Sequence, residues 1–261
     1  MTPPDVLDFA LCAQADAAAE ILGEGRGPEQ TLELAENAQA FADVLIGRVH
    51  AAESGPLPAC RRGCTACCHL HVVAAIPEVI RIADYADEHL TPEGRAALLA
   101  RIDAHIAATS GMTGAERQQS RVACPLLEGG DCSVHPARPL SCRGWNSLDP
   151  ALCDRDLANP REGVPARLHA GQFLVAGRVA EGLAIGARHR GADDRPLDMV
   201  RGLKIALERP DASDRWRLGE AVFESAVNAE VFPARSDPHE ATARQALRET
   251  VARRLGWDRP G

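Results

Sequence analysis

The run Cys60-Arg61-Arg62-Gly63-Cys64-Thr65-Ala66-Cys67-Cys68, answered later by Cys124, Cys132 and Cys142, constrains this chain more than any other feature. Seven of its nine cysteines fall in these two clusters. Thiols two or three residues apart can reach a common centre when a turn separates them, and Gly63 permits a sharp turn. A metal site is therefore the first expectation. Disulfides compete with it, but the opening Met1-Thr2-Pro3-Pro4-Asp5 has no basic stretch leading into an apolar one, as a secretory signal would. The sequence reads as cytoplasmic. In a reducing compartment clustered cysteines serve metal binding or catalysis more often than disulfide frameworks, and an odd total suits a fully paired scaffold poorly.

The 261 residues are enough to bury a core without help from a metal. Aromatic residues are only 3% of the chain, so aliphatic and Ala contacts must make most of that core. A net charge of -8 argues against binding nucleic acid through phosphate neutralisation. No run of about eighteen apolar residues suggests a membrane span. The partner expected is a protein or a small molecule.

Apolar residues recur at helical spacing from Val6 to Leu22 and from Thr31 to Ala52, where Leu34, Ala38, Phe41, Leu45 and Val49 share a face. Two antiparallel helices joined through residues 23–28 are predicted. His69 to Val73 reads as a short strand, and Ile76, Val79, Ile80 and Ala83 mark a helix with Pro77 in its first turn. Thr91-Pro92 starts another, which carries Leu98, Leu99, Ile102 and Ile106 and ends at Gly111. Residues 122–160 lack helical periodicity and are rich in Gly, Pro and Cys, so bound metal is expected to order them.

Beyond Pro160 three helical segments follow, marked by Val175 with Val179, by Val200 with Leu203 and Leu207, and by Leu218 with Val222. The glycines between Gly177 and Gly191 fit close helix packing, since no GxGxxG or P-loop arrangement is present. A last helix is capped by Asp237, carries Ala243, Leu247, Val251 and Leu255, and stops at Gly256. The fold class expected is mainly α, with helical flanks packed around a loop-rich, metal-binding cysteine module. Its parts, an N-terminal hairpin (1–55), the cysteine module (56–160) and a C-terminal helical region (161–261), are expected to form one compact unit.

The cysteine pattern, Cx3Cx2CC, then Cys124-Pro125-Leu126-Leu127, then Cys132, the Arg138-Pro139 pair and Cys142-Arg143, resembles that of the YkgJ-type cysteine-cluster family, a zinc- or iron-chelating domain related to flagellin lysine N-methylases. The resemblance covers roughly residues 56–155. It implies a metal site built from these cysteines and, in at least some members, an iron–sulfur cluster. Substrate identity does not transfer with it.

The ligand candidates are Cys60, Cys64, Cys67, Cys68, Cys124, Cys132 and Cys142, with Cys153 either an eighth ligand or a loop thiol. The cofactor is an iron–sulfur cluster, expected as [4Fe-4S], or zinc, because both take four cysteines. Adjacent side chains diverge, so Cys67 and Cys68 either serve different centres or leave one thiol for hydrogen bonding or reaction. Arg138 and Arg143 are placed to hydrogen-bond sulfur or to hold an anion, or else to form surface ion pairs. His69, His71 and His135 are expected to be satisfied by backbone or solvent rather than by metal. Cys12 reads as a small core residue. Two functions stay open: redox chemistry or protein modification, including methyl transfer, and a non-catalytic zinc- or iron-binding role in storage, delivery, sensing or structure.

Overall fold

The apolar stripes near the start of the chain form α1 (Pro3–Glu24) and α2 (Pro28–Ala52). The computed structural model describes residues 3–24, 28–163, 166–228 and 238–257. Then come a 3-10 turn (Ala66–His69), β1 (Val73–Ala74), α3 (Ile76–His89), α4 (Pro92–Ala108) and α5 (Gly114–Ser120). β2 (Leu127–Glu128), β3 (Asp131–Cys132), a second 3-10 turn (His135–Ala137), α6 (Leu140–Gly144) and α7 (Pro150–Ala158) carry the later cysteines. The chain continues through α8 (Ala170–His189), β4 (Leu197–Asp198), α9 (Met199–Glu208), α10 (Ala212–Arg217) and α11 (Pro238–Leu255). The fold is mainly α, as expected, and no described helix is long and apolar enough to cross a membrane.

Local chemistry accounts for most boundaries. The Thr91 hydroxyl accepts the Gly94 N–H at 3.2 Å ahead of α4, and Thr113 with Glu116 forms a capping box at α5. β2 and β3 pair antiparallel, with Leu127 opposite Cys132, across Gly129 and Gly130 at φ 60° and 87°. Positive φ at both central residues gives the tight turn whose twist matches the flanking strands.

The core runs through all parts of the chain. Leu34 and Leu45 of α2, Ile76 and Ile82 of α3, Leu98 and Ile102 of α4, Leu183 of α8 and Trp216 of α10 are fully buried, and each large side chain contributes about 1.5–3 kcal/mol. Leu126, Val134, Ala137 and Leu140 of the cysteine module belong to the same cluster. The module is thus packed onto the helices by its own apolar residues.

α1 lies along α8 through glycines. A Cβ at Gly182 would stand 2.5 Å from the Leu11 carbonyl oxygen, and one at Gly186 would stand 2.4 Å from that of Ala15 and 2.6 Å from the Ala18 Cβ. The expected packing at small residues is therefore present. Gly186→Ala gains about 1 kcal/mol of helix propensity, but its methyl meets backbone that cannot swing aside, at a cost near the upper end of the ~1–3 kcal/mol of overpacking. A lower melting temperature is expected, by about 2–4 °C per net kcal/mol; an unchanged or raised one would contradict this contact.

Three expectations need correction. Of the strand read at His69–Val73, His69 closes the preceding turn and only Val73 is strand, paired with Asp198, while the Val72 carbonyl accepts the Met199 N–H at 3.1 Å. Residues 122–160 hold a hairpin and two helices, so they are more ordered than their periodicity suggested; α7 starts at Asp149, whose carboxylate accepts the Ala151 N–H at 3.0 Å. The third C-terminal helix, expected around Leu218 and Val222, is absent: α10 ends at Arg217, ahead of both, and Leu218 is exposed. The predicted cap Asp237 and residues 25–27 of the predicted connection lie outside the described residues.

Candidate metal centre

The first cluster is shaped by two consecutive turns. Gly63 adopts φ 82°, and the Cys64 N–H donates to the Arg61 carbonyl at 3.0 Å. The Cys68 N–H then donates to the Thr65 carbonyl at 2.9 Å, and the Leu70 N–H to that of Cys67 at 3.1 Å. These bonds close the turn that displays Cys67 and Cys68 next to each other.

The remaining thiols come from three other places. The Cys124 N–H donates to the Cys68 carbonyl at 2.8 Å, while the hairpin supplies Cys132 from β3. Cys142 lies in α6. Cys153 lies in α7, which packs on the Ala66–His69 turn. Ser147 ties Cys60 to the start of α7: its N–H donates to the Cys60 Sγ at 3.2 Å, and its hydroxyl donates to the Asp149 carbonyl at 2.9 Å. Sequence reasoning missed Ser147; the Asp149-Pro150 cap signal two residues later would have revealed α7 and its approach.

All nine cysteines are free. The eight of the module share one electrostatic neighbourhood: Cys67 acts on Cys60, Cys124, Cys132, Cys142 and Cys153, and Cys64 acts on Cys60 and Cys153. Burial pushes the Cys124 thiol up to about 12, and it raises Cys142, Cys132, Cys153 and Cys60 as well. The Cys68 hydrogen bond, followed by burial, raises Cys67. Among the described residues no three Cys, His, Asp or Glu side chains converge closely enough to grip an ion as placed.

The donor set fits a thiophilic metal, and Arg138 supports that fit. Its Nε is buried without a hydrogen-bond partner, and its positive charge lowers the pKa of Cys60, Cys67, Cys132 and Cys142. A buried donor left open beside thiols suits anionic sulfur, which needs charge compensation in a low-dielectric setting. Arg143 is used differently. It forms an ion pair with Asp43 at 2.5 Å, donates from Nε to the Arg138 carbonyl at 3.0 Å and reaches the carbonyl of Pro136. Arg143 fastens the module to α2, and Arg138 faces the sulfurs.

The other candidates are engaged with other partners or face solvent. His69 Nδ1 bonds to the Thr65 carbonyl at 3.1 Å, His71 sits against Asp198 and Asn228, and His135 is exposed. Trp145 packs edge-on against Phe173, with ring centroids 6.1 Å apart. Cys12 is half-buried beside Leu11, Ala15, Ile185 and Val251, within α1 and away from the module. A cavity of about 450 Å³ lies between α6 and α8, lined by Glu78, Leu140, Ser141, Gly144, Phe173 and Ala180 among others, with no cysteine in its wall.

The matched stretch coincides with this arrangement: residues 59–156 fit the family model CxxCxxCC, described as "Putative zinc- or iron-chelating domain". These residues, under half of the chain, resemble that domain. No curated protein and no solved structure matches the chain. The CxxCxxCC span contains all eight thiols of the module, Cys153 included, and begins one residue before Cys60. The match supports metal binding of the zinc or iron class by residues 59–156.

Proposed function

We propose that the CxxCxxCC domain holds an iron–sulfur cluster on its thiols and serves redox chemistry, alone or in support of modification of a protein partner, methyl transfer included. One observation carries the reading: eight thiols gathered around the Ala66–His69 turn with the open Arg138 donor beside them. A cluster bound there supplies one-electron chemistry. The chain's own residues do the rest. The thiols lose their protons on binding, Arg138 offsets the negative charge that results, and burial of Cys124 beside the apolar core keeps water from part of the site. A reducing, cytoplasmic setting belongs to this reading, as does a partner that is a protein or small molecule rather than a nucleic acid or membrane.

Anaerobic purification with absorption spectroscopy and iron, sulfide and zinc analysis tests it. Iron and sulfide in stoichiometric amount, with absorption bleached by a one-electron reductant, is the expected result. A colourless protein with stoichiometric zinc after anaerobic reconstitution rejects it. The exposed thiol of Cys60 favours that second reading, a zinc- or iron-binding module without catalysis, since an exposed ligand makes metal exchangeable.

The two arginines separate in experiment as they do in space. Arg138→Gln is expected to weaken metal retention against a competing chelator by roughly ten- to a hundredfold with little change in fold. Arg143→Gln should instead lower stability and spare retention, because its bonds go to Asp43 and backbone carbonyls. Equal retention in wild type and Arg138→Gln would remove Arg138 from the site.

A further inference from the structure

The cavity of about 450 Å³ between α6 and α8 is of the size that small-molecule sites have, ~300–1,000 Å³. Most of its wall is apolar, from Val73 and Leu140 to Phe173, Ala180 and Leu247. α6 separates it from the cysteine module: Leu140, Ser141 and Gly144 line the cavity, and Cys142 does not. One residue of the α8 side has no packing reason to be small. Gly182 and Gly186 are required by the contact with α1, whereas a Cβ at Gly177 would meet nothing within 4 Å. Glycine inside a helix is less stable than alanine, so Gly177 carries a cost that close packing does not explain, and the side chain it lacks leaves open space at the cavity wall.

Among the described residues, the charged groups that line the cavity are all acids: Glu78, Glu181 and Asp194. Glu181 is paired with Arg178 at 2.7 Å and Asp194 with Arg188 at 3.2 Å, and neither arginine lines the cavity. Glu78 is the buried one, 2% exposed, and its two oxygens accept the N–H groups of Leu140 at 2.6 Å and Ala75 at 2.8 Å. A carboxylate offers about four acceptor positions, so about two remain on Glu78. Burial raises its pKa, as it does for a carboxylate short of positive charge. We propose that this cavity binds a small organic amine, with its apolar body against α8 and its ammonium group hydrogen-bonded to Glu78. A cation at that place compensates the charge that burial strands, and the bond it makes is charge-assisted. A neutral or anionic head group on the same body leaves Glu78 as it was or repels it.

Amine binding here does not depend on metal in the module. The probes n-octylamine, n-octanol and n-octanoate share one chain and differ in head-group charge, and each is titrated into the full chain by calorimetry at neutral pH. Octylamine is expected to bind once per chain and at least about tenfold more tightly than octanol, as a hydrogen bond to a charged group implies, with octanoate weaker still. Gly177→Leu is expected to weaken octylamine binding at least about tenfold without lowering the melting temperature, because its side chain enters open space. Ala180→Leu, about one turn further along the same wall, should do the same. Both variants keep the net charge, so unspecific attraction of a cation to an acidic chain would survive them. Glu78→Gln, close to wild type in shape, should bring octylamine down to the affinity of octanol. No saturable octylamine binding, octanol or octanoate bound as tightly, unchanged affinity in both leucine variants, or undiminished preference for octylamine in folded Glu78→Gln overturns the proposal.

Discussion

Stripping metal with a chelator under reducing, anaerobic conditions is expected to abolish hydrogen-exchange protection in α7 and in the Ala66–His69 turn, while α1, α2 and α8 keep theirs. Neither α7 nor that turn has a fully buried side chain. α7 is held by its Asp149 cap, by the ion pair of Arg121 with Asp156 and by packing on the Ala66–His69 turn. Structural thiolate–metal sites supply apparent free energies on the order of 10–16 kcal/mol, as much as the stability of a typical domain. α6 should respond less. Leu140 is buried in the core, its N–H donates to Glu78 at 2.6 Å, and Arg143 stays paired with Asp43. Equal protection of α7 with and without chelator would show that protein contacts alone order it. Metal uptake must also displace protons, because burial holds the Cys124 thiol near 12 and raises Cys142. Binding should therefore tighten as pH rises and weaken as it falls, with proton release measurable in a weakly buffered titration.

Asp198→Ala is expected to cost on the order of 4–6 kcal/mol, read by urea denaturation. Asp198 Oδ1 accepts the N–H groups of Val200 and Arg201, each at 3.1 Å, and so caps α9. Its Oδ2 is paired with Arg117 and lies 3.6 Å from His71 Nε2. Losing the cap costs about 0.5–2 kcal/mol, and leaving a buried guanidinium without its carboxylate about 3–5 kcal/mol. Arg117→Met in the Asp198→Ala background should recover part of the loss, since it removes the stranded charge. A single-variant cost below about 1 kcal/mol would show that water reaches this cluster and screens it.

The helical parts of the fold were legible because their signals are local. The face of Leu34, Ala38 and Leu45 buries as its spacing predicts, and Thr91-Pro92 starts α4. The short helices were harder to read. α6 and α7 have five and nine residues, too few for a periodic stripe, and α7 buries no side chain, so its evidence lay in the Asp149-Pro150 start rather than in any pattern of apolar residues. The cavity between α6 and α8 had no sequence signal, since its walls come from separate elements.

By itself the sequence determined which thiols are available and that most of the chain would be helical. The spacing of Cys60, Cys64, Cys67 and Cys68 is written in covalent connectivity, and amphipathic periodicity needs only the next turn of the same helix. Tertiary structure alone decided that α7 docks on the turn carrying Cys67 and Cys68, that Arg143 is spent on Asp43, and that Arg138 keeps a buried Nε without a partner. Those relations join residues far apart in the chain. They exist because the shared apolar core fixes α2, α6 and α8 against one another.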